Sequence, residues 1–363
     1  MTAHPTIRPR AGVLEIAPYV GGASALPGAN RVIKLSSNEN PLGPSPRARE
    51  AYAAEADRLA LYPDGGHAAL RRAIAEAHGL EAGRIVCGNG SDELIALLTK
   101  AYAGEGDEVL HSAHGFLMYR LSALSAGATP VAAPETDLTA DVDALTARLS
   151  ERTRLVFLAN PNNPTGTLLP PAEIARLAEA LPPAALLVLD AAYAEYVRAP
   201  GHDGGIALVR ARDNVVMTRT FSKIHGLAAL RLGWAYAPEH VVDVLNRVRG
   251  PFNVTAPALA AGEAAIRDAD YVEHCRITNE VWRDWLAREI RAAGLQVTES
   301  HANFLLVGPG EDTEALDAHF RAHGLIVRRM EAYGLPRHLR ISVGDEAACR
   351  TVAGAVRAFG GGA

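Results

Sequence analysis

Between residues 67 and 220, short apolar runs alternate with amphipathic stretches of helical period. HAALRRAIAEAHG (67–79) repeats its apolar residues at helical spacing and ends on Gly79, a residue suited to a left-handed C-cap. RIVC (84–87) reads as a short strand. SDELIALLTKAYAG (91–104) reads as a helix, with Ser91 as N-cap and acids in its first turn. Further strands are expected near 108–111, 129–133, 154–159, 185–190 and 214–219, with ADVDALTARL and PAEIARLAEAL as helices between them. This alternation predicts an α/β domain whose mostly parallel sheet is sandwiched by helices.

After RGPFNV (249–254) the pattern changes. An alanine-rich helical region is expected over about 257–293. A strand (FLLV, 304–307), a helix (313–323), two strands (IVR, 326–328; LRISV, 339–343) and a final helix follow. That is the pattern of a smaller α+β domain. Residues 1–32 hold too little apolar pattern to fold alone and are expected to pack beside it. The expected division is therefore 33–252 for the large domain, and 1–32 with 253–363 for the small one. A chain of 363 residues has room for two domains.

The net charge is −5, with acids and bases interspersed and no basic block, which argues against a nucleic-acid partner. Cys87, Cys275 and Cys349 share no metal-ligand spacing, as suits a reducing compartment. His111 and His114 lack a neighbouring carboxylate or thiol, so no metal site is read. The first residues lack a signal-peptide core, and no apolar run reaches the roughly 20 residues that span a bilayer. A cytoplasmic location with no membrane partner is expected.

Four stretches carry chemistry. CGNGSDE (87–93) joins a strand to a helix; its glycines let a ligand approach, and a helix N-terminus presents free N–H groups to a phosphate. By itself it equally suits a glycine turn before an ordinary helix. NPNNPTGTLLP (160–170) follows the strand LVFLA and is longer than a turn requires, so Asn163 is offered from a rigid loop at a strand's carboxyl end. In LLVLDAAYAEY (186–196), Asp190 ends an apolar strand, with Tyr193 three residues on. Taken alone, Asp190 reads better as a helix cap. TRTFSKIHGLAALRLGW (218–234) sets Ser222, Lys223 and Arg231 among apolar flanks, where a lysine's charge is costly. One ligand uses all four stretches. Pyridoxal phosphate needs a phosphate cradle, a carboxylate at its ring nitrogen, donors for its phenolic oxygen and a lysine for its aldehyde. Burial would lower that lysine's pKa from about 10.4 and free the amine as nucleophile and base.

Through these residues the chain resembles the fold-type I pyridoxal-phosphate-dependent aminotransferases, and within them the histidinol-phosphate aminotransferases. The matching stretches include KLSSNENPLGPSP (34–46), LYPDGG (61–66), GNGSDE, FLMYRLSA (116–123), NPNNPTG, LDAAYAEY, TFSKIHGLAALRLGW, ANFLLV (302–307) and LRISVG (339–344), in family order over nearly the whole chain. The resemblance implies a Schiff base between Lys223 and the cofactor, with Lys223 also moving the substrate's proton. It implies Asp190 at the pyridinium nitrogen, Asn163 and Tyr193 at the phenolic oxygen, and Phe116 on the ring face. The backbone at Ser91 and Asp92, with Ser222 and Arg231, would hold the phosphate. Tyr62 would reach the phosphate of a neighbouring subunit, which implies a homodimer with shared active sites.

For substrate, the resemblance implies Arg340 at the carboxylate of glutamate and Arg328 at the substrate's phosphate, with Arg329 as the competing choice. Asn40 and Tyr19 would also line the site. The implied reaction converts L-histidinol phosphate and 2-oxoglutarate to imidazole-acetol phosphate and L-glutamate, a step of histidine biosynthesis. The neighbouring possibilities are an aromatic amino-acid aminotransferase and a threonine-phosphate decarboxylase. A transcription regulator built on this scaffold would need a DNA-binding domain, and residues 1–32 do not read as one. His225, where related sequences often carry an aromatic residue, and PYVGG (18–22) depart from the usual pattern and bear on substrate preference.

Overall fold

The computed structural model describes residues 9–10, 12–18, 25–26 and 32–360. Seven strands form the central sheet: β1 (Ile85–Gly88), β2 (Glu108–Ser112), β3 (Thr129–Ala133), β4 (Thr153–Ala159), β5 (Leu186–Asp190), β6 (Val215–Thr220) and β7 (Gly233–Tyr236). Their order is β1-β7-β6-β5-β4-β2-β3. Only β7 runs antiparallel to its neighbours within this sheet. The sheet is covered on both faces, which is why its strands read as unbroken apolar runs. Along β5, Leu187 and Leu189 feed one core while Leu186 and Val188 feed the other, as the pleat requires.

The expected helices form with small shifts of their ends. Gly79 takes the left-handed C-cap position at φ 62°. Ser91 is not a cap: helix Ser91–Tyr102 begins at that residue, and Gly90, at φ 82°, is the N-cap, with no side-chain cap bond. Unforeseen are helices Pro46–Ala54, Leu117–Ala126, Ile206–Ala211 and Glu239–Val248, and strand β7.

A second, antiparallel sheet contains β8 (Gln296–Val297), β9 (Phe304–Gly308), β10 (Arg328–Arg329) and β11 (Leu339–Ser342), in the order β8-β9-β11-β10. Its core draws on helices Ala269–Ala292, Thr313–Ala322 and Glu346–Gly360. The run IVR is not one strand. Leu325–Ile326 pairs with Ile33–Lys34, and Arg328–Arg329 pairs with β11. The alanine-rich region is likewise two helices, Ala256–Arg267 and Ala269–Ala292, parted at Asp268.

The packing cuts the chain elsewhere than at residues 33 and 253. Val254, Ala258, Ala261 and Ala265 belong to the core of the large sheet, against Ala48, Leu70 and Ala73. Leu35 belongs to the core of the second sheet. Within the described part of 1–32, the Arg10 guanidinium donates to Ala126 O (3.1 Å), and a side chain at Gly12 would meet Leu124 O. These described residues therefore touch helix Leu117–Ala126. Among the described residues no helix is long and apolar enough to cross a membrane, and no group of side chains has the makings of a metal site.

Candidate active site

The last residues of three neighbouring parallel strands, Ala159, Asp190 and Thr220, open into one cavity of about 220 Å³. The carboxyl ends of the strands in an open α/β sheet are where ligands bind. Ser91, Asp92, Phe116, Asn163, Tyr193, Ser222, Lys223, Arg231, Arg328 and Arg340 line the same cavity. Residues that are scattered through the sequence, and come from both sheets, thus share one space.

Lys223 follows β6 on the loop that returns to β7. Its Nζ donates to Ser37 O at 3.2 Å. Lys223 keeps some exposed surface, yet protein surrounds the amine, and that loss of solvent lowers its pKa to about 8, with Arg340 adding repulsion. The loop's shape depends on Gly226 at φ +69°, where a Cβ would lie 2.3 Å from the Gly43 backbone. Asn40 binds the same loop from that side. Its Nδ2 donates to Ile224 O (2.7 Å) and approaches Cys275 Sγ (3.3 Å). Asn40 therefore does not line the cavity; its amide is spent on the backbone beside Lys223. Gly226→Ala should destabilise the protein by at least about 2 kcal/mol in denaturant unfolding, combining the left-handed backbone cost with a clash against main chain that cannot yield.

Asp190 is 5% exposed. Its Oδ2 accepts from Tyr119 Oη at 2.8 Å and its Oδ1 from Ala192 N at 3.3 Å. Burial pushes its carboxyl up to about 6, against the pull of the Tyr119 bond. Tyr193 is buried, accepts from Asn38 Nδ2 (2.9 Å), and has its phenol pKa raised by desolvation. Asn163 accepts at Oδ1 from Arg340 Nη1, which leaves the Asn163 NH₂ as the group to offer a ligand. Arg340 Nη2 donates to Ser36 O at 3.0 Å, while its Nε is buried without a partner.

At the other end, Arg231 Nη1 donates to Ser222 Oγ (3.0 Å) and Nη2 to Asp92 Oδ2 (3.1 Å). Both lie at the uncapped start of helix Ser91–Tyr102. Glycines make this approach possible: a Cβ at Gly90 would sit 2.6 Å from Arg231 Nη2, and one at Gly233 would sit 2.4 Å from Ser91 N. Helix N–H groups, a guanidinium and a hydroxyl converge there, which is a site for an anion.

Arg328 lines the cavity, whereas Arg329 Nε pairs with Glu331 at 2.5 Å on the surface. Arg328 stands opposite Arg340 in the antiparallel ladder and so shares its face. His225 is 4% exposed, packs 4.8 Å from the Phe221 ring and does not line the cavity. Tyr62 is 83% exposed and stacks on Phe252, off the cavity of its own chain. Tyr19 lies outside the described residues. Sequence reading missed Ser36, Ser37, Asn38 and Tyr333 in the cavity wall and Tyr119 behind Asp190. Ser36, Ser37, Asn38 and Tyr119 sit inside stretches already marked as motifs. Tyr333 carried no such signal.

The profile of the class I and II aminotransferases matches residues 30–356. The histidinol-phosphate aminotransferase of Dinoroseobacter shibae is 58% identical over 97% of this chain and 98% of its own. That of a Ruegeria species is 56% identical over 98% and 99%. Among solved structures, histidinol-phosphate aminotransferase from Sinorhizobium meliloti in complex with pyridoxal-5′-phosphate superposes with a TM-score of 0.89 at 28% identity, covering 99% of this chain and 98% of that one. Aspartate aminotransferase from Thermus thermophilus shares the fold at 20% identity, with a TM-score of 0.80. This chain belongs to the class I and II aminotransferase family and, within it, to the histidinol-phosphate aminotransferases.

Proposed function

We propose that this protein moves the amino group of L-histidinol phosphate to 2-oxoglutarate, giving imidazole-acetol phosphate and L-glutamate in histidine biosynthesis, with pyridoxal 5′-phosphate as its cofactor. The observation that carries the reading is the pair of arginines, Arg328 and Arg340, facing one another across β10 and β11 on the wall of the cavity that holds Lys223. Like charges directly opposite in a ladder repel. An anionic substrate group offsets that repulsion. A planar guanidinium suits either a carboxylate or a phosphate. Both substrates of the proposed reaction bring such a group to one pocket. An aromatic amino acid has no use for the second arginine on its side chain.

The residues present fit the cofactor. The uncapped helix start with Ser222 and Arg231 suits its phosphate. Asp190, buried at the end of β5, suits its ring nitrogen. Asn163, with Oδ1 already engaged by Arg340, and Tyr193 suit its phenolic oxygen. Phe116 suits the ring face. Bound there, the cofactor supplies an aldehyde for the amine and an electron sink for the charge left at the substrate's α-carbon. The protein does the rest. Lys223, its amine about half charged near pH 8 where an ordinary lysine would be almost fully charged, carries the proton between the α-carbon and the cofactor. Asp190 keeps a proton on the ring nitrogen. Arg340 holds the carboxylate of glutamate, and Arg328 joins it for the phosphate ester. Tyr62, exposed beside Phe252, would complete the phosphate site of a second copy, so a homodimer is part of the proposal.

The test is a half-reaction. The cofactor-loaded protein is mixed separately with L-histidinol phosphate, L-glutamate, L-phenylalanine, L-tyrosine and threonine phosphate, and cofactor absorbance is followed. Histidinol phosphate and glutamate should convert the cofactor to its amine form about 10²-fold faster than the aromatic amino acids. Faster conversion by phenylalanine or tyrosine would overturn the assignment of substrate.

A further inference from the structure

We propose that Tyr119 is the positioning residue for the Asp190 carboxylate: by holding Oδ2 it turns the carboxylate toward the cofactor's ring nitrogen and keeps the shared proton on that nitrogen. This rests on the reading of Asp190 given above.

The geometry of Tyr119 is fixed on every side. It is 0% exposed. Its ring stacks on Phe157 with centroids 4.7 Å apart and planes 4° from parallel. The Phe116 ring meets it edge-on at 5.8 Å and 87°. Phe116 is the N-cap of helix Leu117–Ala126, and Tyr119 N bonds back to Phe116 O at 3.0 Å. One helical turn thus presents Phe116 to the cavity and sets the Tyr119 hydroxyl behind it, 2.8 Å from Asp190 Oδ2. Held by two rings, the hydroxyl cannot follow a carboxylate that swings, so the carboxylate must stay where the hydroxyl is.

The chemical consequence concerns the proton. Burial and the neighbouring carboxylate raise the Tyr119 phenol well above its ordinary range, so it stays a donor at any working pH. A donated hydrogen bond stabilises the charged form of Asp190 and makes it a weaker base. A weaker base competes less for the proton on a ring nitrogen beside it. The other oxygen, with a long 3.3 Å contact from Ala192 N, keeps acceptor capacity. Without Tyr119 the carboxylate becomes more basic and draws the proton from nitrogen to oxygen. The proton stays within the pair, and the positive charge on the ring is lost.

Tyr119→Phe keeps both ring contacts and removes only the hydroxyl. The cofactor, labelled with ¹⁵N in its ring, is bound to the parent, to Tyr119→Phe and to Asp190→Asn, and the nitrogen resonance is recorded at several pH values. The parent should report a protonated nitrogen, and Asp190→Asn a neutral one. Tyr119→Phe should lie between them by an amount independent of pH. Its kcat should fall about 10-fold, the order of one hydrogen bond to a charged group, with KM little changed. A parent-like resonance in Tyr119→Phe, with Asp190→Asn shifted, would show that the hydroxyl only fills space; the role of Asp190 would stand and this inference would fall. A parent-like resonance in Asp190→Asn would sink both. Fluorotyrosine at position 119, a stronger donor of the same shape, should hold the resonance at the parent position or beyond it. Movement toward the neutral position would contradict the inference even if Tyr119→Phe failed to fold.

Discussion

Lys223→Ala loses transamination by at least about 10⁴-fold, since one change removes both the nucleophilic amine and the proton carrier. The fold survives, because among the described residues the amine holds a single hydrogen bond, to Ser37 O at 3.2 Å. Stability should even rise in the cofactor-free protein at pH 7. The native pKa of about 8 lies below the roughly 10.4 of an unfolded chain, so below pH 8 the folded state holds a charged lysine that it solvates poorly. Removing the amine removes that penalty, at most about 3 kcal/mol and less after screening through the cavity. The sign can be checked by pH. Between about 8 and 10.4 the unfolded parent binds more protons than the native parent, so the parent gains stability with rising pH and the variant's advantage shrinks. Denaturant unfolding of both proteins at pH 7 and 9.5 reads this directly. Borohydride treatment of the loaded parent should fix the cofactor at residue 223, located by peptide mass, and should fix nothing in the variant. Retained turnover in Lys223→Ala would end the proposed chemistry.

How much of this was legible in the sequence depended on whether a residue's surroundings are local. The large sheet could be read because strands buried on both faces must be apolar throughout, as in LVLD and VVM. Lys223 drew notice because a charge among apolar flanks is costly, whereas Asp190, which alone reads as a helix cap, gained a role only in combination with the other motifs. Ser91 was misassigned because the sequence shows a good capping residue but not the left-handed backbone that gives Gly90 the position. IVR was joined into one strand because three consecutive residues do not reveal that their partners are Ile33–Lys34 on one side and β11 on the other. Asn38 and Asn40 are two residues apart in one motif. Asn38, in a left-handed conformation at φ 56°, reaches Tyr193, while Asn40 turns to Ile224. Only the folded loop separates their roles. Tyr119 was invisible for the same reason, since its partner is 71 residues away.

Arg340→Met should damage both halves of the reaction, whereas Arg328→Met should damage chiefly the half that handles the phosphate. Arg340 is 6% exposed and ties Asn163 Oδ1 to Ser36 O. Its loss would remove the proposed partner of a substrate carboxylate, break two buried hydrogen bonds and free the Asn163 amide to rotate away from its proposed donor role. Each charged hydrogen bond of this kind is worth about 1.5–3 kcal/mol, so kcat/KM should fall about 10²–10³-fold with histidinol phosphate and with glutamate alike. Arg328 stands opposite it on β10, half-buried, at the same cavity wall. Replacing Arg328 would remove one of the two charges proposed to face a phosphate ester and also relieve repulsion against Arg340. KM for histidinol phosphate should therefore rise about 10²-fold while that for glutamate moves little. Arg329→Met, next in sequence but on the opposite strand face and paired with Glu331 at the surface, should change either constant less than about twofold. Steady-state kinetics with each substrate varied in turn separates these outcomes. An Arg329 variant that loses the phosphorylated donor, with Arg328 silent, would reverse the face assigned to β10. Equal losses on both substrates in the Arg328 variant would mean that the two guanidiniums act as one clamp, and the division between carboxylate and phosphate would have to be abandoned.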